Sequence, residues 1–453
     1  MIDLDDIIKA YDVRGVVPDQ LDAGLARDIG AAFVRVLGIR DARPSAVVVG
    51  WDMRPTGPEL VEAFAEGVTS QGCDVIRIGL ASTDGLYFAS GKLGLHGAMF
   101  TASHNPAQYN GIKLCRPGAA PVGRDSGLSE IKAMIREGVP EFDGPRGTVS
   151  DQDMLADYAA HLRSLVDVES VRPLKVVVDA GNGMGGHTVP TVFAGLPLEV
   201  VPMYFELDGT FPNHEANPID PENLKDLQAA VLAHGAGLGL AFDGDADRCF
   251  VVDERGEAVD PSTLTALIAV RELAKVPGAT IIHNLITSRA VPEIVKEHGG
   301  LPVRTRVGHS FIKETMASTG AVFGGEHSGH FYFRDFWWAD SGMLAALHVV
   351  SALGHTPVGT PLSALLAPYV RYAMSGEINS RVDDVAAKIE DVRRAYASKC
   401  EVDDLDGLTF SGPDWWFNLR PSNTEPLLRL NVEAPTPADV ERIVEDVLGI
   451  VRA

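Results

Sequence analysis

SAVVVGWDMR (residues 45–54), LKVVVDAGNG (174–183) and ATIIHNLITS (279–288) share one pattern, a short β-branched run ending in a polar or glycine-bearing loop. Each reads as a buried strand feeding a loop. Helical periodicity flanks them in ELVEAFAEGVTSQG (59–72), with Gly72 as the expected C-cap, and in SRAVPEIVKEHGG (288–300). A further strand pair, GLGLAF (237–242) and CFVVDE (249–254), brackets the acidic turn 243–248. Strand–loop–helix units repeating at roughly hundred-residue intervals predict three similar mixed α/β domains.

The last stretch differs. RYAMSGEINSRV (371–382) predicts a strand followed by a polar turn, and DVAAKIEDVRRAY (384–396) an amphipathic helix. ADVERIVEDVLGIVR (438–452) predicts another helix, with Val440, Ile443, Val444, Val447 and Val451 on one face. Short strands around DWWFNLRPSNTEPLLRLNVEA (414–434) complete a smaller α+β domain. The expected domains are 1–149, 150–254, 255–370 and 371–453. The Gly/Pro-rich GVPEFDGPRG (138–147), the turn at Asp253–Gly256 and the stretch after Pro368 mark the joints.

Over 453 residues, hydrophobic content of 45% and 46 glycines match an α/β protein with room for large cores. Runs of about 18 apolar residues do not occur, so no membrane span is expected. The acidic N-terminus MIDLDDIIKAYDVRG lacks a signal-peptide pattern. Cys73, Cys115, Cys249 and Cys400 stand far apart, as suits reduced thiols in a cytoplasmic protein rather than disulfides or zinc ligands. The formal charge of −23 weighs against a nucleic-acid partner. A phosphate site in such a chain has to be built locally from arginine, lysine and backbone N–H groups.

Four loops carry the chemistry. In DGDADR (243–248), Asp243, Asp245 and Asp247 alternate with small residues and can converge on one hard cation, which takes oxygen ligands. An EF-hand reading would use Glu254 at the twelfth position, but Arg248 stands where that loop needs glycine. An Asx-rich β-turn is the plain alternative. Magnesium commonly keeps phosphate among its ligands, and three aspartates leave room for a phosphate oxygen. FTASHNPAQYNGIK (100–113) sets Ser103 beside His104, yet adjacent side chains seldom share a proton in line, because serine–histidine–acid triads assemble in space. A phosphorylated Ser103 would supply the missing oxygen, with Lys113 as a nearby cation or proton-transfer group. Ser103 as a turn or cap residue, and Lys113 as a surface lysine, are the alternatives. GGEHSGHFYF (324–333) offers Glu326, His327, Ser328 and His330 to a polyol, as against an ordinary turn or an incomplete metal site. LRPSNTEP (419–426) offers Arg420, Ser422, Asn423 and Thr424 as a phosphate cradle, as against a plain turn.

TASHNP, DGDADR, GEHSGH and RPSNTEP, in this order and with YDVRG (11–15) near the N-terminus, resemble the α-D-phosphohexomutases across nearly the whole chain. The resemblance implies a four-domain, heart-shaped enzyme with a phosphoserine and one magnesium ion per chain. It implies that Ser103 carries the phosphate, with Asp243, Asp245 and Asp247 as metal ligands beside it. Arg14, His104, Lys113, Arg248 and His309 (in VGHSFIK) fall where the family places charge-stabilising and proton-transfer groups. Tyr11 and the GEHSGH residues would meet the sugar, and RPSNTEP the phosphate that is not transferred. Bacterial bispecific members often carry a lysine in the loop matched by NLITSRA, where this chain has Ile286.

The implied reaction interconverts mannose 6-phosphate and mannose 1-phosphate, with glucose phosphates as further substrates. It passes through a hexose 1,6-bisphosphate that also serves as activator. The expected protein is a monomer or weak dimer. A phosphoglucosamine mutase more often shows glutamine and glycine where His327 and Asn423 stand, and a magnesium-dependent sugar phosphatase would release inorganic phosphate.

Overall fold

The computed structural model describes residues 3–421 and 427–453, with the side chains of residues 309 and 310 excepted. Two compact units emerge, residues 1–261 with 328–365 and residues 262–327 with 366–453. The segment 255–370 therefore contributes to both.

In the first unit, SAVVVGWDMR becomes β2 (Ala46–Trp51), buried at every residue but Trp51. It runs parallel to both β3 (Asp74–Leu80) and β4 (His96–Phe100). A strand covered on both faces accounts for its unbroken apolar run. β4 turns back into the antiparallel β5 (Tyr109–Arg116), and β1 (Val13–Val16), β6 (Ala120–Pro121) and β7 (Val149–Asp151) complete the sheet in the order β1-β5-β4-β2-β3-β7, with β6 on β5. β7 carries this sheet past the expected joint at 149. Phe33, from the helix Ala23–Val36, and Phe64, from the helix Gly57–Ser70, pack beneath it, with the Phe64 and Phe100 rings edge to face at 5.4 Å. Gly72, just past the second helix, takes the left-handed conformation expected of a C-cap glycine.

The second sheet repeats the plan. β8 (Leu174–Asp179) lies parallel to β9 (Leu198–Met203) and β10 (Leu238–Phe242), and β10 turns back into the antiparallel β11 (Cys249–Asp253), which pairs with β12 (Ala258–Val259). The serine loop after β4 and the aspartate loop after β10 thus occupy equivalent places, each between a buried parallel strand and an antiparallel return. The short antiparallel pair β16 (Phe331–Phe333) and β17 (Ala339–Asp340), followed by the buried helix Gly342–Gly354, also belongs to this unit.

In the second unit, β13 (Thr280–Asn284) lies parallel to β14 (Leu301–Thr305) and β15 (Phe323–Gly325). The C-terminal sheet is antiparallel, in the order β18 (Ala373–Arg381), β22 (Leu427–Ala434), β21 (Trp416–Pro421), β20 (Leu408–Ser411), β19 (Glu401–Asp403). The polar turn expected within 371–382 is instead strand to Arg381. Ser375 and Gly376 are taken up by a register shift between Met374 and Glu377, with pairing to β22 resumed from Glu377 onward. Helices Val385–Tyr396 and Pro437–Val451 cover this sheet, the latter burying Val440, Ile443, Val447 and Val451, with Val444 half-buried at the rim. Among the described residues, no helix is long and apolar enough to cross a membrane, and none of Cys73, Cys115, Cys249 and Cys400 forms a disulfide.

Candidate active site

The aspartate loop packs directly onto the serine loop. A Cβ at Gly244 would sit 2.4 Å from the Ser103 carbonyl oxygen, so only glycine permits this approach. Ser103 itself is buried and holds a left-handed backbone, φ 49°, a conformation that costs a non-glycine residue of order 1–3 kcal/mol and persists only where its surroundings enforce it. Its Oγ donates to Asp243 Oδ2 at 2.8 Å across 140 residues of chain.

Adjacent in sequence, Ser103 and His104 also come into side-chain contact. The left-handed turn at Ser103 brings His104 Nδ1 to 3.2 Å from Oγ. Burial, together with the nearby Arg248 and Arg14, holds the imidazole well below its ordinary pKa, so His104 is neutral at physiological pH.

Asp243 also accepts from Arg248, through Nε at 2.9 Å and the backbone N–H at 3.1 Å. Asp245 Oδ2 accepts from Thr83 Oγ1 at 2.5 Å and from Lys113 Nζ at 2.7 Å. Lys113 donates equally to Asp247 Oδ2 at 2.7 Å, and Asp247 Oδ1 lies 3.5 Å from His330 Nε2. All three aspartates are buried, and each offers an oxygen within 4.8 Å of the others.

Asp243 and Asp247 are pushed in opposite directions. Burial pushes Asp243 up to about 7, Arg248 pulling against it and Asp247 and Asp245 adding to it. Lys113 overcomes the burial of Asp247 and, with His330, holds it well below the carboxylate range. Lys113 in turn is held charged by Asp245 and Asp247 although burial opposes the ammonium. Three carboxylates thus face two cations, Lys113 and Arg248. The Oδ1 atom of Asp245 is buried without a hydrogen-bond partner. An all-oxygen donor set and an unused buried carboxylate oxygen fit a divalent hard cation. Glu254, the residue an EF-hand would recruit, turns elsewhere and accepts from the Ser363 N–H at 3.0 Å.

Around this centre, Arg14 on β1 donates to Asn105 Oδ1 and to Asp12, and Tyr11 is half-buried just ahead of it. Ser328 and His330 belong to the same unit, with Ser328 Oγ 3.0 Å from His330 Nδ1. His330 forms a backbone bridge with Arg248, and its Nε2 lies 3.9 Å from Asp340 Oδ2. Gly329, at φ +84°, permits the turn between them.

The other candidates lie in the second unit. Glu326 is buried and accepts from Asn284 Nδ2 at 3.2 Å and the Gly308 N–H at 3.3 Å, and His327 is half-buried. Arg420, on β21, donates to Glu377 Oε2 at 2.6 Å. Ile286 is buried in an apolar cluster with Leu285 and Trp416. Ser422, Asn423 and Thr424, and the side chain of His309, lie outside the described residues.

Sequence reasoning missed two groups at this centre. Thr83 opens the helix Thr83–Leu93 and grips Asp245 twice, the second time through its N–H to the Asp245 carbonyl at 3.0 Å. Asp52 and Arg54 end the SAVVVGWDMR stretch and lie fully buried under the serine loop. A charged pair at the end of a buried strand was the available signal for the latter.

Comparison with known proteins places this arrangement. Phosphoglucomutase/phosphomannomutase alpha/beta/alpha domains I, II and III match residues 5–140, 156–256 and 260–372, and the C-terminal domain of the same family matches residues 377–450. The chain belongs to the phosphoglucomutase/phosphomannomutase family. It is 41% identical over 436 residues to a phosphomannomutase of Salmonella montevideo, covering 94% of each chain. It is 43% identical over 428 residues to a Xanthomonas campestris pv. campestris protein named phosphohexose mutases, again over 94% of each. A phosphoglucomutase/phosphomannomutase family protein from Burkholderia thailandensis superposes with a TM-score of 0.89 at 35% identity, over 100% of this chain and 98% of that one. The fold is therefore that of the phosphohexomutases, with four family domains, and the chain is a phosphohexomutase of the isomerase class.

Proposed function

We propose that the protein is a phosphomannomutase that interconverts mannose 6-phosphate and mannose 1-phosphate, accepts the glucose phosphates as further substrates, and uses Ser103 as its phosphoryl carrier. The observation that carries this reading is Ser103 Oγ at 2.8 Å from Asp243, inside a buried three-aspartate cluster. The names of its relatives at 41% identity support the sugar.

In the forward half-reaction, phospho-Ser103 gives its phosphoryl group to the free hydroxyl of the bound sugar phosphate. The Ser103 Oγ–P bond breaks, a sugar O–P bond forms, and the hydroxyl proton leaves to a base. Lys113 is engaged as a cation by two carboxylates, so its role is to stabilise charge on the transferring group. His309, the other proton-transfer candidate, would take the hydroxyl proton. The product is a hexose 1,6-bisphosphate, which reverses its orientation and returns its other phosphate to Ser103. Arg420 and the RPSNTEP loop would hold the phosphate that is not being transferred. Asp243, Asp245 and Asp247 would hold one Mg²⁺, which supplies charge neutralisation to the transferring phosphoryl group. Arg248 and Arg14 add fixed positive charge near the same group.

The test is a coupled assay of mannose 1-phosphate, glucose 1-phosphate and glucosamine 1-phosphate with Mg²⁺ and a trace of hexose 1,6-bisphosphate, on the wild-type protein and Ser103→Ala. Mannose 1-phosphate should turn over without release of inorganic phosphate, and Ser103→Ala should be inactive. A glucosamine 1-phosphate rate far above the other two would overturn the substrate, and near-normal activity in Ser103→Ala would overturn the carrier.

A further inference from the structure

Arg54 reaches the serine loop through the loop's backbone, making four hydrogen bonds to loop carbonyls. Its side chain is wholly buried. Nη1 donates to the carbonyl oxygens of Pro106 and Tyr109 at 2.9 and 2.8 Å, and Nη2 to those of Ser103 and Asn105 at 2.9 and 2.6 Å. One guanidinium thus gathers backbone carbonyls from the serine itself to the first residue of β5. Its plane is fixed from two further sides. Nε lies 3.3 Å from Asp52 Oδ2, and the ring of Phe211 lies 5.2 Å from Cζ. The Arg54 N–H donates in turn to Asp52 Oδ1 at 3.0 Å, so the pair is locked at its own backbone.

The geometry of these bonds matters for Ser103. Turning a non-glycine residue left-handed is unfavourable in isolation and needs an external hold. The Ser103 carbonyl is gripped by Arg54 on one side and stands against Gly244 on the other, while the Ser103 N–H donates to Thr101 Oγ1 at 2.8 Å. Asn105, whose carbonyl Arg54 also holds, presents its side-chain oxygen to Arg14. A shift of the guanidinium would therefore move both the serine Oγ and the orientation of Arg14.

We propose that Arg54, with Asp52 as its counter-ion, is a positioning residue for phosphoryl transfer. It fixes the left-handed Ser103 so that Oγ faces Asp243, and it acts only through the loop. The proposal rests on the reading of Ser103 as phosphoryl carrier. A lysine at position 54 keeps the charge but cannot reproduce a planar fork reaching four carbonyls. Because Arg54 is wholly buried and acts through the serine loop backbone, its loss should appear in kcat and spare KM.

The experiment compares the full-length wild type, Arg54→Lys and Asp52→Asn. Each is loaded with glucose 1,6-bisphosphate, and serine phosphorylation is followed by intact mass. Melting temperature, kcat and KM for mannose 1-phosphate are then measured. In a folded Arg54→Lys, kcat and the single-turnover transfer rate should fall together by about 10–100-fold, as misplacement of reacting groups by an ångström does, with KM within about twofold of wild type. Asp52→Asn keeps the four carbonyl bonds and removes the counter-charge, so it should fold and lose kcat in the same direction by a smaller factor. If Arg54→Lys does not fold, Asp52→Asn decides. Wild-type kcat in either folded variant, or a loss carried entirely by KM, overturns the positioning role. A wild-type protein that takes up no phosphate on Ser103 overturns the carrier reading instead.

Discussion

Lys113 shows how much one side chain decides at this centre. Its ammonium sits between two buried carboxylates, 2.7 Å from each, where an unbalanced charge is costly. Removing one partner of a buried ion pair typically costs about 3–5 kcal/mol. Lys113→Met should therefore lower the unfolding free energy by roughly that amount in metal-free buffer, and millimolar Mg²⁺ should recover part of it by supplying the missing charge. Urea denaturation with and without Mg²⁺ measures this, and a destabilisation indifferent to Mg²⁺ would argue against a cation at the three aspartates. The aspartate spacing was legible in DGDADR because carboxylates alternating along a turn necessarily crowd together. That Lys113 would lie between two of them was not legible, because residues 132 and 134 positions apart meet only through sheet packing.

At the scale of elements, two loops meet because each follows a buried parallel strand, β4 or β10, and turns back antiparallel. Gly244→Ala would press a methyl group to within 2.4 Å of the Ser103 carbonyl. Such overpacking costs about 1–3 kcal/mol. The variant should remain folded, with its melting temperature lowered and mutase activity reduced by more than the lost folded fraction explains. Activity tracking the folded fraction would show the contact to be structural only. In the C-terminal helix, Ile443→Ala should cost about 2–4 kcal/mol from cavity formation, since Ile443 packs against the sheet in the buried cluster. The urea midpoint reads this directly. The helical face itself was legible from its 3.6-residue period. The fate of SGE in β18 was not, because a paired neighbour, β22, overrides the local preference for a turn.

At the scale of the whole molecule, stability should carry a pH dependence from a pair outside the three-aspartate cluster. His214 Nε2 lies 2.9 Å from Asp179 Oδ2, joining the end of β8 to the long loop after β9. Burial works to lower the imidazole pKa, but the hydrogen bond and charge of Asp179 outweigh it and raise it above 6.5. A raised histidine pKa means the folded state holds the proton more tightly than the unfolded chain. The contribution is therefore complete below about 6.5 and is lost as pH rises through the folded value. The stability difference between wild type and His214→Gln should be larger at pH 6 than at pH 9 in urea titrations, and a difference constant across that range would show the pair to be uncharged.

By itself the sequence determined the mixed α/β class, the small C-terminal α+β unit and the three-aspartate loop, since these rest on local spacing and periodicity that survive without coordinates, while the family was carried by the resemblance of its loop motifs. The tertiary structure alone decided how Ser103 is held. Thr83 beneath Asp245, Arg54 beneath the serine loop and His104 beside Ser103 Oγ follow from strand order and from a strained backbone angle. A buried guanidinium chooses its carbonyls only once β2, β4 and β5 lie side by side, and no pattern within the chain encodes which ones it will reach.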